Sequence, residues 1–268
     1  MTTNPLRILC FGAHPDDCDF STGGLAALYA RAGHQVRMIS LANGDAGHYA
    51  IGGIELARRR YYETQAAAVV IGVEYHVWDI HDGELEPTLE MRRRVISEMR
   101  SFQADLVLAH RADDYHPDHR AVGVLVQDAS YLVGVPNIVP LTPITAPAPV
   151  ICHYAGYASA VDEALIAVDI DPVYELKMRM LDCHASQVYE WLPYDQGILD
   201  QVPAGAEERF AWLQVWREAR TEAAPWREAL VRRYGAERGA QVRYAEAFIP
   251  CAYGPRMTPE LQRKLFPF

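Results

Sequence analysis

Four short apolar runs, Arg7 to Phe11, Gln35 to Leu41, Tyr75 to Ile80 and Asp105 to Ala109, are separated by longer stretches with helical periodicity, and this narrows the fold most. Runs this short and this apolar read as strands. Strand-then-helix alternation is the pattern of parallel strands joined by crossover helices. The predicted fold class is therefore α/β: a Rossmann-like, doubly wound, mostly parallel sheet with helices on both faces and a C-terminal helical cap. Helices are expected at Ser21 to Ala32, Ile54 to Ile71, Thr88 to Phe102 and about Arg120 to Leu132. Further strands are expected at Val150 to Tyr154 and Ala164 to Val168, and an extended tail at Tyr244 to Phe248. Helices at Glu207 to Arg220 and Trp226 to Tyr234 would form the cap.

Open α/β sheets bind ligands beyond the carboxyl ends of their strands, so the residues just after each run matter most. The first run leads into Gly12-Ala13-His14-Pro15-Asp16-Asp17. Carboxylates buried there are costly unless something compensates their charge, and one cation within reach of His14 and Asp17 would do so. An Asp at a strand-to-helix turn serves equally as a helix cap, so this loop alone leaves both uses open. The fourth run leads into a second cluster, His116-Pro117-Asp118-His119. One imidazole and one carboxylate from the first loop, with one imidazole from the second, make a three-ligand set that leaves a position open for water. A dinucleotide-binding domain would instead carry G-x-G-x-x-G in its first turn, where carboxylates would repel phosphate.

These motifs resemble those of the LmbE-like, or PIG-L, zinc N-deacetylases. The resemblance rests on Ala13-His14-Pro15-Asp16-Asp17 and His116-Pro117-Asp118-His119. It extends to Arg60-Tyr61-Tyr62-Glu63, to Lys177 through His184-Ala185-Ser186-Gln187, and to Ala245-Glu246-Ala247-Phe248, and so covers most of residues 6 to 250. It implies a zinc-dependent hydrolase that removes an N-acetyl or other N-acyl group from an amino sugar or glycoconjugate, with metal-activated water as nucleophile. It places one Zn2+ per chain, or another divalent metal, on His14, Asp17 and His119. Asp16 becomes the general base, and His116, oriented by Asp118, an imidazolium that stabilises the oxyanion. Arg60, held by Glu63, and Asp82 become substrate-binding residues, and Tyr115 a further oxyanion donor.

Other residues near these motifs rank lower. Cys18 is a rival ligand placed below Asp17. Asp45 and His48 suit either substrate contact or a solvated Asn-Gly turn, and His184 suits a packing or supporting role, since three ligands suffice. Two competing readings remain: an amidase of another small amide, of the thiol-conjugate type, and a non-catalytic metal- or sugar-binding protein on the same fold. Against the second stands Asp16, a spare carboxylate that binding alone does not need.

With 268 residues, half of them hydrophobic, the chain can bury a full core as a single domain over 1–268, with 190–268 as a cap or extension. A formal charge of -10 argues against a nucleic-acid partner, whose phosphates need Lys and Arg. A small, neutral or cationic substrate is expected. Five cysteines without a C-x-x-C pair indicate neither a disulfide framework nor a thiolate zinc site. They fit a reducing compartment, and with no apolar leader and no membrane-spanning run, a cytoplasmic location is expected. Prolines at 136, 140, 143, 147 and 149 make that segment a stiff connector, a plain crossover, a wall of the substrate cleft or a homo-oligomer contact.

Overall fold

Alternate side chains of the central strands enter two different cores, which is why these runs are apolar throughout. The computed structural model describes residues 4–144, 146–156, 164–218 and 220–268. Strands β1 (Arg7–Gly12), β2 (Gln35–Ser40), β3 (Glu74–Val77), β4 (Leu106–Ala109) and β5 (Val150–Tyr154) pair in parallel. Two more, β6 (Ile166–Asp169) and β7 (Ala245–Pro250), complete a seven-stranded sheet in the order β3-β2-β1-β4-β5-β7-β6. From β1, Ile8 and Cys10 enter one core while Leu9 and Phe11 enter the other.

Helices α1 (Asp17–Arg31), α2 (Gly53–Ile71), α3 (Leu89–Phe102), α4 (Pro117–Leu132) and α5 (Tyr174–Cys183) divide between the two faces. The first core takes Leu25 and Tyr29 of α1, Ala67 of α2 and Met180 of α5, and the second takes Val95 and Met99 of α3 with Val122 and Leu125 of α4. This is the doubly wound arrangement that the alternation predicts. The chain builds outward from β1 to β3 and then returns to lay β4 against the other side of β1. The crevice at that reversal is where such sheets bind ligands.

Both motif-bearing helices begin earlier than periodicity alone predicts. Helix α1 starts at Asp17 rather than Ser21, and α4 at Pro117 rather than about Arg120, so each motif is partly a first helical turn. Acidic side chains there complement the helix dipole, and proline suits a first position whose N–H would go unbonded. His116 caps α4, its Nδ1 accepting from the Asp118 N–H at 3.2 Å.

The C-terminal part adds α6 (Leu192–Asp195), α7 (Ala206–Glu218), α8 (Arg227–Tyr234), α9 (Ala236–Gln241) and α10 (Pro259–Leu265). The expected extension at 190–268 also supplies β7, which lies antiparallel between β5 and β6. Glu246 on β7 ties this part to α1, accepting from the N–H groups of Gly24 and Leu25 at 2.8 and 2.7 Å and from Lys177 Nζ at 2.6 Å.

The proline-rich connector is organised by a single arginine. Arg100 of α3 is buried, and its guanidinium donates to the carbonyls of Leu132, Val133, Val135, Ile138, Val139 and Thr142. Leu132, Val135 and Val139 also accept backbone N–H groups at 3.0, 3.0 and 3.1 Å, and the guanidinium adds a donor to these and to Val133, Ile138 and Thr142 in a stretch whose prolines have no N–H to give. Arg100→Met should cost about 3 kcal/mol, because it strips the buried charge-assisted bonds that tie these six carbonyls to α3. Urea denaturation checks this, and an unchanged midpoint would contradict it.

Candidate metal centre and active site

The two motifs meet beyond the adjacent ends of β1 and β4. Asp17 folds its carboxylate back over its own loop, where Oδ2 accepts from the N–H groups of Ala13 and His14 at 2.9 and 2.7 Å. It thereby sits between two imidazoles: His14 Nδ1 is 3.5 Å from Oδ2, and His119 Nε2 is 3.4 Å from Oδ1. The far nitrogen of each ring faces another carboxylate. His14 Nε2 lies 3.0 Å from Asp82 Oδ1 and 3.2 Å from Asp118 Oδ2, and His119 Nδ1 lies 3.0 Å from Asp114 Oδ1. Metal-ligating histidines are typically supported in this way, one nitrogen anchored by a carboxylate and the other free to ligate.

A third ring, His110, directly follows β4. It stacks on His119 with 3.9 Å between centroids and brings Nε2 to 3.2 Å from Asp17 Oδ2. Among the described residues, donor atoms of three overlapping groups each lie within 4.8 Å of one another, His14–His116–His119, Asp17–His110–His119 and His14–Asp82–Asp118, and the expected trio of His14, Asp17 and His119 is divided between the first two rather than forming a group of its own. Nitrogen and carboxylate oxygen donors suit zinc and neighbouring divalent metals. The Cys18 thiol, by contrast, faces the Cys10 carbonyl and the Tyr154 hydroxyl.

The electrostatics also favour a cation. Burial works against a charged His14, yet Asp118, Asp17 and Asp82 hold its pKa well above the ordinary value. Burial likewise opposes a charged His119, but Asp17 and Asp114 raise it to about 9. Asp17 is held well below the usual carboxylate range against its own burial, by His119 and His110. Groups that draw positive charge this strongly fit a divalent ion.

Asp16 differs from its neighbour. It occupies the N-cap position of α1 at φ 119°, in the left-handed region that non-glycine residues seldom adopt, and its side chain makes no capping bond. Burial pushes its carboxyl up to about 6, with Arg60 opposing, and Arg60 Nη2 lies 3.3 Å from Oδ2. His14, Asp16, Asp17, Arg60, Asp82, His116 and His119 all line one cavity of about 920 Å³.

A family model described as PIG-L, GlcNAc-PI de-N-acetylase, matches residues 9–130. The diacetylchitobiose deacetylase of Thermococcus kodakarensis is 32% identical over 201 residues, which cover 70% of this chain and 74% of that protein. The chain belongs to the PIG-L family. It is therefore an enzyme. A second relative, the 4-oxalmesaconate hydratase of Pseudomonas putida, is 25% identical over 212 residues, 75% of this chain and 81% of that protein. Among solved structures, N,N'-diacetylchitobiose deacetylase from Pyrococcus horikoshii superposes with a TM-score of 0.66 at 24% identity, covering 99% of this chain and 88% of that one. This likeness shows the shared fold.

Within this PIG-L site, two expected pairings are made differently, and the hydrogen bonding of His116 bears on its expected charge. Asp118 does not orient His116 through its carboxylate, which accepts from the N–H groups of Gly83 at 2.8 Å and Leu85 at 3.3 Å and faces His14. His116 Nδ1 accepts from the Asp118 N–H, a bond that favours a neutral ring with its proton on Nε2 over the expected imidazolium. Burial, His14 and His119 push its pKa down in the same sense. Glu63 does not hold Arg60. It accepts from Ser186 N at 2.8 Å and Ser186 Oγ at 2.5 Å, satisfying unbonded donors at a helix start, while Arg60 reaches the Pro15 and Gly44 carbonyls at 2.6 and 3.0 Å.

Of the lower-ranked residues, Asp45 accepts from the Asp82 N–H at 3.0 Å and His48 Nε2 lies 2.9 Å from Glu190, so both shape loops. His184 pairs with Asp19 at 3.1 Å, both fully buried. Tyr115 is exposed but lines the cavity. Among the described residues, no helix is long and apolar enough to cross a membrane.

Proposed function

We propose that this PIG-L enzyme is a metal-dependent N-deacetylase of N-acetylated amino sugars, cleaving a linear amide C–N bond. The observation that carries the proposal is Asp17 bracketed by His14 and His119, with Asp16 beside them and lining the same cavity. The 32% identity with a diacetylchitobiose deacetylase supports the substrate class.

His14, Asp17 and His119 would hold the cation, with Asp118 and Asp82 orienting His14 and Asp114 orienting His119. A divalent ion held there, zinc by the donor set, would supply the Lewis acidity that lowers the pKa of water to about 7 and polarises an acyl oxygen. Asp16 takes the proton of the attacking water and delivers it to the departing amine, so that a C–O bond forms, the C–N bond breaks, and acetate and free amine leave. A pKa near neutrality suits both transfers. His116 donates its Nε2–H to the acyl oxygen as negative charge develops there. Arg60 anchors Asp16, and Arg60 and Asp82 meet the sugar from the cavity wall. The whole chain, 1–268, acts as one catalytic unit.

The deciding experiment is a panel of N-acetylglucosamine, diacetylchitobiose and 4-oxalmesaconate, reading acetate, free amine and loss of the unsaturated acid. Acetate and amine released in equal amounts are expected. The hydratase relative supports a second reading, addition of water across a C=C bond, and consumption of the unsaturated acid without acetate from either sugar would replace the first reading with it. A second expectation concerns the supporting carboxylates: Asp114→Ala and Asp118→Ala should each weaken metal affinity roughly 10–100-fold. Competition with a fluorescent chelator measures this, and wild-type affinity in both would remove their assigned role.

A further inference from the structure

Away from the proposed ligands, the cavity wall carries two tryptophans, the buried Trp226 and Trp191, and the segment that presents Trp191 is firmly held. Trp191 ends a six-residue π-helix, Ser186–Trp191, a geometry that recurs at functional sites. The segment is pinned at three points. Glu63 holds Ser186, Gln187 Nε2 donates to the Gly47 carbonyl at 3.0 Å, and Glu190 accepts from Arg59 Nη1 at 2.8 Å and pairs with His48.

The indole is also backed by a row of rings. Its centroid lies 6.0 Å from Tyr194, Tyr194 lies 4.3 Å from Tyr49, and Tyr49 lies 4.7 Å from His48, all stacked. Of these four, Trp191 is the one that lines the cavity. At about 920 Å³ the cavity is near the top of the ~300–1,000 Å³ range of pockets that enclose a drug-sized ligand. A single N-acetylhexosamine has only about 15 non-hydrogen atoms and would leave much of that space unfilled.

We propose that Trp191 is the stacking platform for a second sugar ring, adjoining the ring whose amide is cut, so that the enzyme favours chains of at least two linked hexosamines over the single sugar. This rests on the deacetylase reading above. One face of a pyranose ring presents only C–H groups, apolar and slightly positive, and it matches the negative face of an indole. A platform already fixed by its neighbours loses little freedom on binding, so the contact contributes more to affinity.

The test compares wild type, Trp191→Ala and Trp191→Phe on N-acetylglucosamine and N,N'-diacetylchitobiose, with metal content measured in each. In Trp191→Ala the ratio of kcat/KM for the disaccharide to that for the monosaccharide should fall about tenfold, mainly through KM, and Trp191→Phe should restore most of it. An equal loss on both sugars, or an unchanged ratio, would overturn the proposal. If the wild type releases acetate from neither sugar, the deacetylase reading fails. Fluorescence titration with diacetylchitobiose still decides the subsite: saturable quenching that loses most of its amplitude in Trp191→Phe, with Trp226 accounting for the remainder, supports it, and quenching of undiminished amplitude or none in the wild type overturns it.

Discussion

Asp16→Asn is expected to lower kcat by roughly 10²–10⁴-fold while the protein keeps its full metal content. The substitution is close to isosteric and removes only the capacity to take up a proton. Asparagine tolerates the positive φ of this position at least as well as aspartate. No helix cap is lost, because the Asp16 side chain makes no capping bond. Arg60 retains the Pro15 and Gly44 carbonyls as partners, so its guanidinium is not stranded. The loss should therefore fall on kcat with KM little changed, as for a group that acts in the transition state. Steady-state acetate release with elemental analysis reads both quantities, and wild-type turnover would dismiss Asp16 as the base.

The elements legible in the chain are those whose causes are local. The runs ending at Phe11 and Ala109 are apolar at every position because both faces are covered, and that pattern needs no knowledge of partners. The two motifs can be placed at neighbouring strand ends for the same reason. Where side chains turn once loops distant in sequence meet is not legible. Asp118 looks like a partner for His116, two residues away, but the amides of Gly83 and Leu85 arrive from the loop after β3 and take its carboxylate. Glu63 is likewise claimed by Ser186, far along the chain.

His110 and Asp114 escape sequence reasoning because neither stands in a spacing that marks a ligand. Their one signal is position, just after β4 and just before the second motif. Nothing in the helical spacing around Arg100 marks it for burial, which depends on the distant carbonyls that close around it. The tail is recognisable as extended, but its insertion between β5 and β6 depends on packing against α1 through Glu246.

The second large effect is expected at Asp17. Asp17→Ala removes the carboxylate lying between His14 and His119, the one negative charge that the two imidazoles share, while Asp118 and Asp82 still face His14 and Asp114 still faces His119. Two neutral nitrogen donors hold a divalent ion far less well than a set completed by a carboxylate, so metal and turnover should be lost together. His14→Ala and His119→Ala should behave alike, whereas His116→Ala should keep its metal and lose rate, since His116 acts as donor rather than ligand.

Elemental analysis of these four variants beside the wild type, after dialysis against dilute zinc, tests this assignment most directly. One equivalent in the wild type and in His116→Ala, with a small fraction of that in Asp17→Ala, His14→Ala and His119→Ala, is the expected result. A full equivalent retained by Asp17→Ala would show that the ion is held elsewhere.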